Sequence, residues 1–301
     1  MNVNRRDAEA QRESGVGESA EEVAASAPDS AWSPHRHFDV LGSTNDEARE
    51  WAWSGAPHLS VVTAEQQTAG RGRRGRAWVS PPGRGLYASF VLRSSTESER
   101  RRYQLVDVPR LTMLLALAAV YAVGELTGLR ATTKWPNDVL LNGRKVAGIL
   151  CEAHSEPTIS HVNLSDAPRP LAFCVAGIGL NVNFAADELP ARPVFPASSL
   201  LIETGRTFEM ERVLDVLRTH FAQLLTRYDA GEWETLRARW ESRCAELGRN
   251  VTVREAEDEW SGTVLMTESD GALVVGTPDG LRRVVAGEIT YNGPAGSQPH
   301  D

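Results

Sequence analysis

Val139-Leu140-Leu141-Asn142-Gly143-Arg144-Lys145-Val146-Ala147-Gly148-Ile149-Leu150-Cys151 is the stretch on which the fold turns. Two apolar runs flank Asn142-Gly143, a dipeptide that tolerates the positive φ of a tight hairpin turn. The segment Thr132 to Ala153 therefore predicts a hairpin, with Lys145 to Cys151 as its return strand. Before it, Leu59 to Ala64 and Leu86 to Leu92 read as strands; after it, Leu171 to Val182 does. Thr44-x-x-Glu47 reads as a capping box opening a helix with Ala48, Trp51 and Ala52 on one side, ending at Gly55 before Pro57. Pro109 starts a long apolar helix that runs to about Thr127 and stops at Gly128. Val213, Leu217, Phe221, Leu224 and Tyr228 keep helical spacing across Glu209 to Ala230, and Gly231 to Leu247 predicts a further helix.

Composition shifts near residue 247. From Gly248 to Tyr291 the chain has short strands with Asp270-Gly271 and Asp279-Gly280 turns, a small all-β unit about the size of an SH3-like barrel. Residues 1–30 are polar and predict a disordered tail, as do 294–301. The expected domains are 31–247 and 248–293. The segment 154–170 holds three prolines and predicts a loop, long for a strand connection.

The chain has 301 residues, 41% hydrophobic and 24% charged, with a formal net charge of -8. That balance fits a globular protein and opposes one built to hold nucleic acid, which needs a positive field. Cys151, Cys174 and Cys244 form no closely spaced pair, so a cysteine zinc site is not expected and free thiols in a reducing cytosol are. His35-x-His37 lacks partners at metal spacing and reads as loop. The N-terminus has no apolar signal-peptide region. Leu111 to Val123 falls short of the ~18 apolar residues that a membrane span needs. A soluble, cytoplasmic protein is expected.

Gly70-Arg71-Gly72-Arg73-Arg74-Gly75-Arg76-Ala77-Trp78 matches GxGxxG. A dinucleotide site needs a helix after the last glycine, and Pro81-Pro82-Gly83 forbids it. An RGG-like nucleic-acid segment would be short here and set in an acidic folded chain. A solvated basic loop is the plainest alternative. The remaining reading is an anion-binding loop that folds over a substrate: arginines offer forked donors to carboxylate and phosphate, and glycines let the backbone approach.

Four segments in order then carry a resemblance. They are Gln67 to Trp78, Thr133-Lys134-Trp135-Pro136-Asn137-Asp138-Val139-Leu140, Arg144 to Glu152, and Gly177-Ile178-Gly179-Leu180-Asn181-Val182-Asn183, with Ser43-Thr44-Asn45 ahead of them. Over residues 38 to 291 the chain resembles the biotin–protein ligases (the holocarboxylase synthetase family). The resemblance implies an α+β catalytic domain with a mixed sheet and flanking helices, like that of class II aminoacyl-tRNA synthetases, followed by a small SH3-like C-terminal barrel. It implies that biotin is activated by ATP, with Mg²⁺, to biotinyl-5'-AMP, and that biotin is then passed to a lysine of a biotin carboxyl carrier domain of an acyl-CoA carboxylase. Relatives with a winged helix-turn-helix also repress transcription. Only about 30 polar residues precede the core here, so no DNA binding is expected.

The resemblance also assigns roles. Lys145 is the expected essential cation, balancing charge at the biotin carboxylate and α-phosphate. Arg73 is expected to retain the adenylate. Ser43, Thr44, Asn45, Gln67, Gly70, Arg71 and Gly148 are implied on the biotin side. Arg76, Trp78, Lys134, Asn137, Asp138 and Asn181 are implied, with Arg73, on the ATP side, Asp138 also near Mg²⁺. Each has a plainer alternative. Lys145 could be a solvent-facing strand lysine, Lys134 and Asp138 a surface ion pair, Thr44 only a helix cap, and Trp78 a loop aromatic on the core. A lipoate–protein ligase, a DNA-binding biotin sensor and a nucleotide-holding pseudo-ligase are the rival classes. The loop 66–78 is expected to order only on ligand binding. Monomer and ligand-linked homodimer both remain open.

Overall fold

The computed structural model describes residues 33–93, 103–155, 171–190, 196–255 and 258–291. The expected tails 1–30 and 294–301, and most of the expected loop 154–170, lie outside those residues. The first element is β1 (His35–Leu41), followed by α1 (Thr44–Trp53), β2 (Val61–Gln67), β3 (Gly85–Leu92) and α2 (Asp107–Thr127). Then come β4 (Ala131–Lys134), β5 (Asp138–Leu141), β6 (Arg144–His154) and β7 (Phe173–Asn181). These strands form one seven-stranded sheet in the order β1-β2-β3-β7-β6-β5-β4. Only the β1–β2 pair is parallel, so the sheet is mixed, as expected.

The β5–β6 hairpin forms around Asn142 (φ 50) and Gly143 (φ 73), the two positive φ values that a tight type I′ turn requires. Its register pairs Asp138 with Gly148 and Leu141 with Arg144, across an irregularity at Val139/Leu140. Lys145 is thus set one residue inside the turn.

β1 corrects the loop expected around His35 and His37. It is an exposed edge strand with little apolar periodicity to reveal it. His35 Nε2 and His37 Nδ1 both meet Thr63 Oγ1 of β2, at 2.7 and 2.9 Å. The capping box is also corrected. The N-cap of α1 is Ser43, and no side chain caps it. Gln67 Oε1 instead accepts from the Thr44 N–H at 2.9 Å, while Glu47 binds Arg36.

α2 is long and apolar enough to cross a membrane by length and composition, which the shorter apolar run did not suggest. It is a core helix here: its buried side chains join those of β6, β7 and α4 (Met210–Asp229) in one continuous cluster. α1 covers the opposite face of the sheet with a smaller cluster around Ala48, Ala52 and Phe173. A short α3 (Leu200–Thr204), not expected from the sequence, is capped by Ser199. The last helix, α5 (Trp233–Glu241), ends earlier than expected. The chain after it runs beside β4, where Thr133 N–H donates to Arg243 O (2.8 Å) and Ala245 N–H to Thr133 O (2.9 Å).

The C-terminal unit has β8 (Asn250–Glu255), β9 (Asp258–Thr267), β10 (Leu273–Thr277), β11 (Gly280–Val284) and β12 (Glu288–Thr290). They form an antiparallel sheet in the order β11-β10-β9-β8-β12. Val251, Val264, Val275 and Ile289 belong to the same core cluster as α2. At the junction, Gly271 takes φ 86, and a Cβ there would sit 3.0 Å from Met113 Sδ. Its carbonyl accepts the Trp135 indole N–H at 3.0 Å.

Candidate functional site

β6 and β7 lay a floor of glycine. Gly148 pairs with Gly179 across the two strands, and Gly177 lies one step further along the same face. A Cβ on Gly148 would come within 2.9 Å of Trp78 Cζ3, and one on Gly179 would overlap the indole. One on Gly177 would overlap the amide of Asn45. Over this floor lies a cleft of about 380 Å³, walled by α1, β5, the Gly-Arg loop and β12.

Of the residues singled out in the sequence, Ser43, Thr44, Asn45, Gln67, Arg71, Arg73, Arg76, Trp78, Lys134, Asn137, Asp138, Lys145 and Gly148 all line this cleft. Two do not. Gly70 is a close-approach residue: a Cβ there would lie 2.8 Å from Ser80 Oγ and collide with the carbonyl of Trp78. Asn181 lines a small adjoining recess with Trp78, Lys145 and Phe184, and its amide donates to Ser198 O at 2.9 Å.

One end of the cleft is neutral and hydrogen-bonded. Gln67 Oε1 accepts from the backbone N–H and hydroxyl of Thr44, and its Nε2 donates to Ser80 Oγ at 2.9 Å. Ser89, fully buried on β3, donates to Asn45 Oδ1 at 2.6 Å, and its Oγ lies 2.8 Å from the Thr44 hydroxyl. The Asn45 Nδ2 donates to Leu150 O and to Glu152 Oε2. Every polar atom of the Asn45 amide is thus engaged by the protein.

The other end is cationic. Lys145 Nζ lies 2.5 Å from Asp138 Oδ1 and 5.4 Å from the centroid of the Trp78 ring. Lys134, nearly buried, has its Nζ 4.0 Å from Glu246 Oε1. Burial pushes the Glu246 carboxyl above its ordinary range, and Lys134 pulls it back down. Arg73 Nη1 donates to Asn137 Oδ1 at 3.1 Å, and the Asn137 amide is fixed in turn by Ile149 O at 2.7 Å. Among the described residues Arg73 has no carboxylate in salt-bridge contact. Burial, then Arg74, lowers its pKa from the usual arginine value, yet it stays a cation at neutral pH.

The loop arginines therefore divide. Arg71 is held by Asp46 and Glu152. Arg74 and Arg76 face Glu288 on β12. Arg73 alone is presented to the cleft without an acid. Seven cationic side chains against two carboxylates line this cleft, in a chain whose net charge is -8. Asp46, Glu152, Glu246 and Glu259 answer Arg71, Lys134 and Arg254 from behind the lining, so the pull on an anion centres on Arg73. Trp78 Nε1 is buried with no hydrogen-bond partner among the described residues. Trp240 and Trp260 away from the cleft share this state, so the indole N–H alone does not mark a ligand.

Sequence reasoning passed over Ser89, Asp46, Glu152, Glu246 and Glu288. Ser89 did leave a signal, a polar residue inside the apolar run Leu86 to Leu92. Glu246 and Glu288 gave none, because their partners are brought to them only by the fold.

Residues 38–164 match the biotin/lipoate A/B protein ligase family. The biotin–[acetyl-CoA-carboxylase] ligase of Paracoccus denitrificans is 35% identical over 254 residues, covering 83% of this chain and 98% of that protein. The bifunctional ligase/repressor BirA of Bacillus subtilis is 31% identical over 253 residues, covering 84% of this chain and 72% of that protein. The biotin protein ligase from Aquifex aeolicus, solved in complex with biotin and ATP, superposes with a TM-score of 0.68 at 27% identity. That match covers 86% of this chain and 98% of the Aquifex chain.

Proposed function

This chain belongs to the biotin–protein ligase family, and on that premise we propose which end of the cleft seats each reactant. The enzyme is an ATP-dependent biotin–protein ligase. It joins biotin to AMP, releasing pyrophosphate, and then transfers biotin to a protein lysine as AMP leaves. The observation that carries our placement is the polarity of the cleft: Lys145, Lys134 and Arg73 converge at one end, and the neutral Thr44–Gln67–Ser89 network forms the other.

Biotin's uncharged ureido ring fits the neutral end, with Ser43, Thr44, Asn45, Gln67, Arg71 and Gly148 as its surroundings and Gly70 packed behind them against Ser80 and Gln67. Its carboxylate then points to Lys145. Biotin carboxylate and ATP phosphate repel until a cation stands between them, and Lys145 supplies that charge as the carboxylate oxygen attacks the α-phosphorus. Arg73 counters the charge of the adenylate and slows its escape. Trp78 closes over the glycine floor, with Asn137, Asn181 and Arg76 completing the nucleotide side. The recess at Asn181 is about 20 Å³, too small for a base, so we place the adenine in the main cleft with Asn181 at its margin.

Among the described residues no three His, Cys, Asp or Glu side chains gather to hold a metal. Asp138 is the carboxylate beside Lys145 at the cationic end, while Glu246 is fully buried behind Lys134. That donor set suits Mg²⁺ arriving on the triphosphate, which needs one or two carboxylates beside phosphate oxygens, and not a resident ion. Bound there, Mg²⁺ would neutralise phosphate charge.

We place the division between ligase unit and C-terminal unit at residue 247, and read them as class II synthetase-like and SH3-like. The acceptor we infer is a biotin carboxyl carrier domain of an acyl-CoA carboxylase, in the cytoplasm where ATP is abundant. A monomer, or a homodimer linked to ligand, fits the site equally, and the acidic chain is not expected to bind DNA. Biotin-dependent exchange of labelled pyrophosphate into ATP tests the first half-reaction. It should require biotin and fall about 10²–10³-fold in Lys145→Ala; exchange supported by lipoate and not by biotin would overturn the assignment.

A further inference from the structure

Arg71 is tied to two carboxylates that the ligase chemistry leaves without a role. Its Nη1 donates to Asp46 Oδ2 in the first turn of α1, and its Nη2 to both oxygens of Glu152 at the end of β6, at 3.2 and 3.1 Å. The carboxylates outweigh desolvation at Arg71, whose pKa rises, led by the Asp46 bond. The same Glu152 carboxylate accepts from the Asn45 amide at 2.6 Å.

We propose that Asp46 and Glu152 are positioning residues for the ligase reaction, a pair of acids that latch Arg71 and thereby set Trp78 over the glycine floor of the cleft. This rests on the ligase reading above. Three observations support it. Arg71 is bridged through its backbone to Ala77, and Trp78 N–H donates to Gly70 O at 2.9 Å. Fixing Arg71 therefore fixes the far side of the loop, where the indole rests on Gly148 and Gly179. Next, Glu152 couples this latch to Asn45, whose amide is pinned by Ser89 as well and fills the space above Gly177. Last, Arg49 also pairs with Asp46, so two acids and two guanidiniums cancel at this end of the cleft. A neutral end suits an uncharged cyclic urea, and it leaves Arg73 as the arginine offered to anions. Arg71 thus acts through the loop and does not bind the biotin carboxylate or a phosphate.

The test compares the wild type with Asp46→Asn, Glu152→Gln, Arg71→Gln and the double variant Asp46→Asn/Arg71→Gln in biotin-dependent pyrophosphate exchange. Each single substitution should raise KM for biotin roughly tenfold, the scale of one lost charge-assisted hydrogen bond, while kcat at saturating biotin stays within about twofold. The double variant should match Arg71→Gln alone. Trypsin should cut the loop faster in every variant than in the wild type, and circular dichroism identifies a variant that has not folded. If one acid variant is unfolded, the other decides. An unchanged KM in the folded acid variants, or a double variant whose KM is the product of the two single effects, overturns the latch. A wild type inactive with biotin overturns the ligase reading itself, and the latch with it.

Discussion

Gly179 and Lys145 show what single residues hold in this site. A Cβ on Gly179 has no room beneath the indole of Trp78. Gly179→Ala should therefore push the ring off the floor, destabilising the fold by ~1–3 kcal/mol as overpacking does. A thermal melt beside tryptophan fluorescence reads both effects; a wild-type Tm and spectrum would mean that the ring does not rest there. Lys145→Ala removes the cation from a pair with Asp138 and should lower kcat for adenylation about 10²–10³-fold. Steady-state exchange kinetics at saturating biotin and ATP measure that fall. Asp46 makes a pH prediction. Burial raises its pKa, but Arg71 and Arg49 outweigh burial and hold the carboxyl below its ordinary value of 3.8. A depressed folded pKa stabilises the native state at pH values above the unfolded value, and that stability is lost as pH falls through the folded one. The Tm gap between wild type and Asp46→Asn should accordingly be present at neutral pH and close below about pH 4. A gap that persists unchanged into acid would show that the charge of Asp46 is not what Arg71 uses. Lys145, Arg73 and Asp138 were legible because each sits inside a short segment of fixed order. Ser89 was not, since its meaning depends on neighbours across strands; Glu152 ends the segment Arg144 to Glu152, but its partners Arg71 and Asn45 come to it only through the fold.

At the scale of elements, the hairpin β5–β6 was plain from Asn142-Gly143, because a local turn needs only local residues. β1 was missed for the opposite reason. An edge strand exposes most of its side chains, so His35, His37 and Asp39 show no apolar alternation. α5 stops before Leu247 because the following segment pairs with β4, a long-range partner that outweighs helix propensity. The Gly-Arg loop joins both levels. Its short 3-10 turn at Arg73–Gly75 includes Arg74 in a left-handed conformation, and its fastenings are ion pairs to α1, β6 and β12. Partly exposed pairs are individually weak, so ligand should add a large share of the loop's order. Trypsin cleavage at Arg71 to Arg76 should slow severalfold when biotin and ATP are added together. Equal cleavage with and without them would mean that the loop is already set in the free protein.

At the scale of the molecule, the two sheets share one hydrophobic cluster through α2, and β12 lends Glu288 and its neighbours to the cleft wall. The C-terminal unit is thus part of the site. Its small-strand character was readable from Asp270-Gly271 and Asp279-Gly280, but its seat on Met113 and Trp135 was not. The whole molecule serves one reaction, and its most direct measurement is the intact mass of a biotin carboxyl carrier domain. The domain is incubated with this protein, biotin, ATP and Mg²⁺, with lipoate in a parallel arm and Lys145→Ala as a control. A gain of one biotin on the carrier, dependent on ATP and abolished in the variant, is the predicted result. A carrier that gains lipoate instead, or that gains nothing from the wild-type protein, would contradict it.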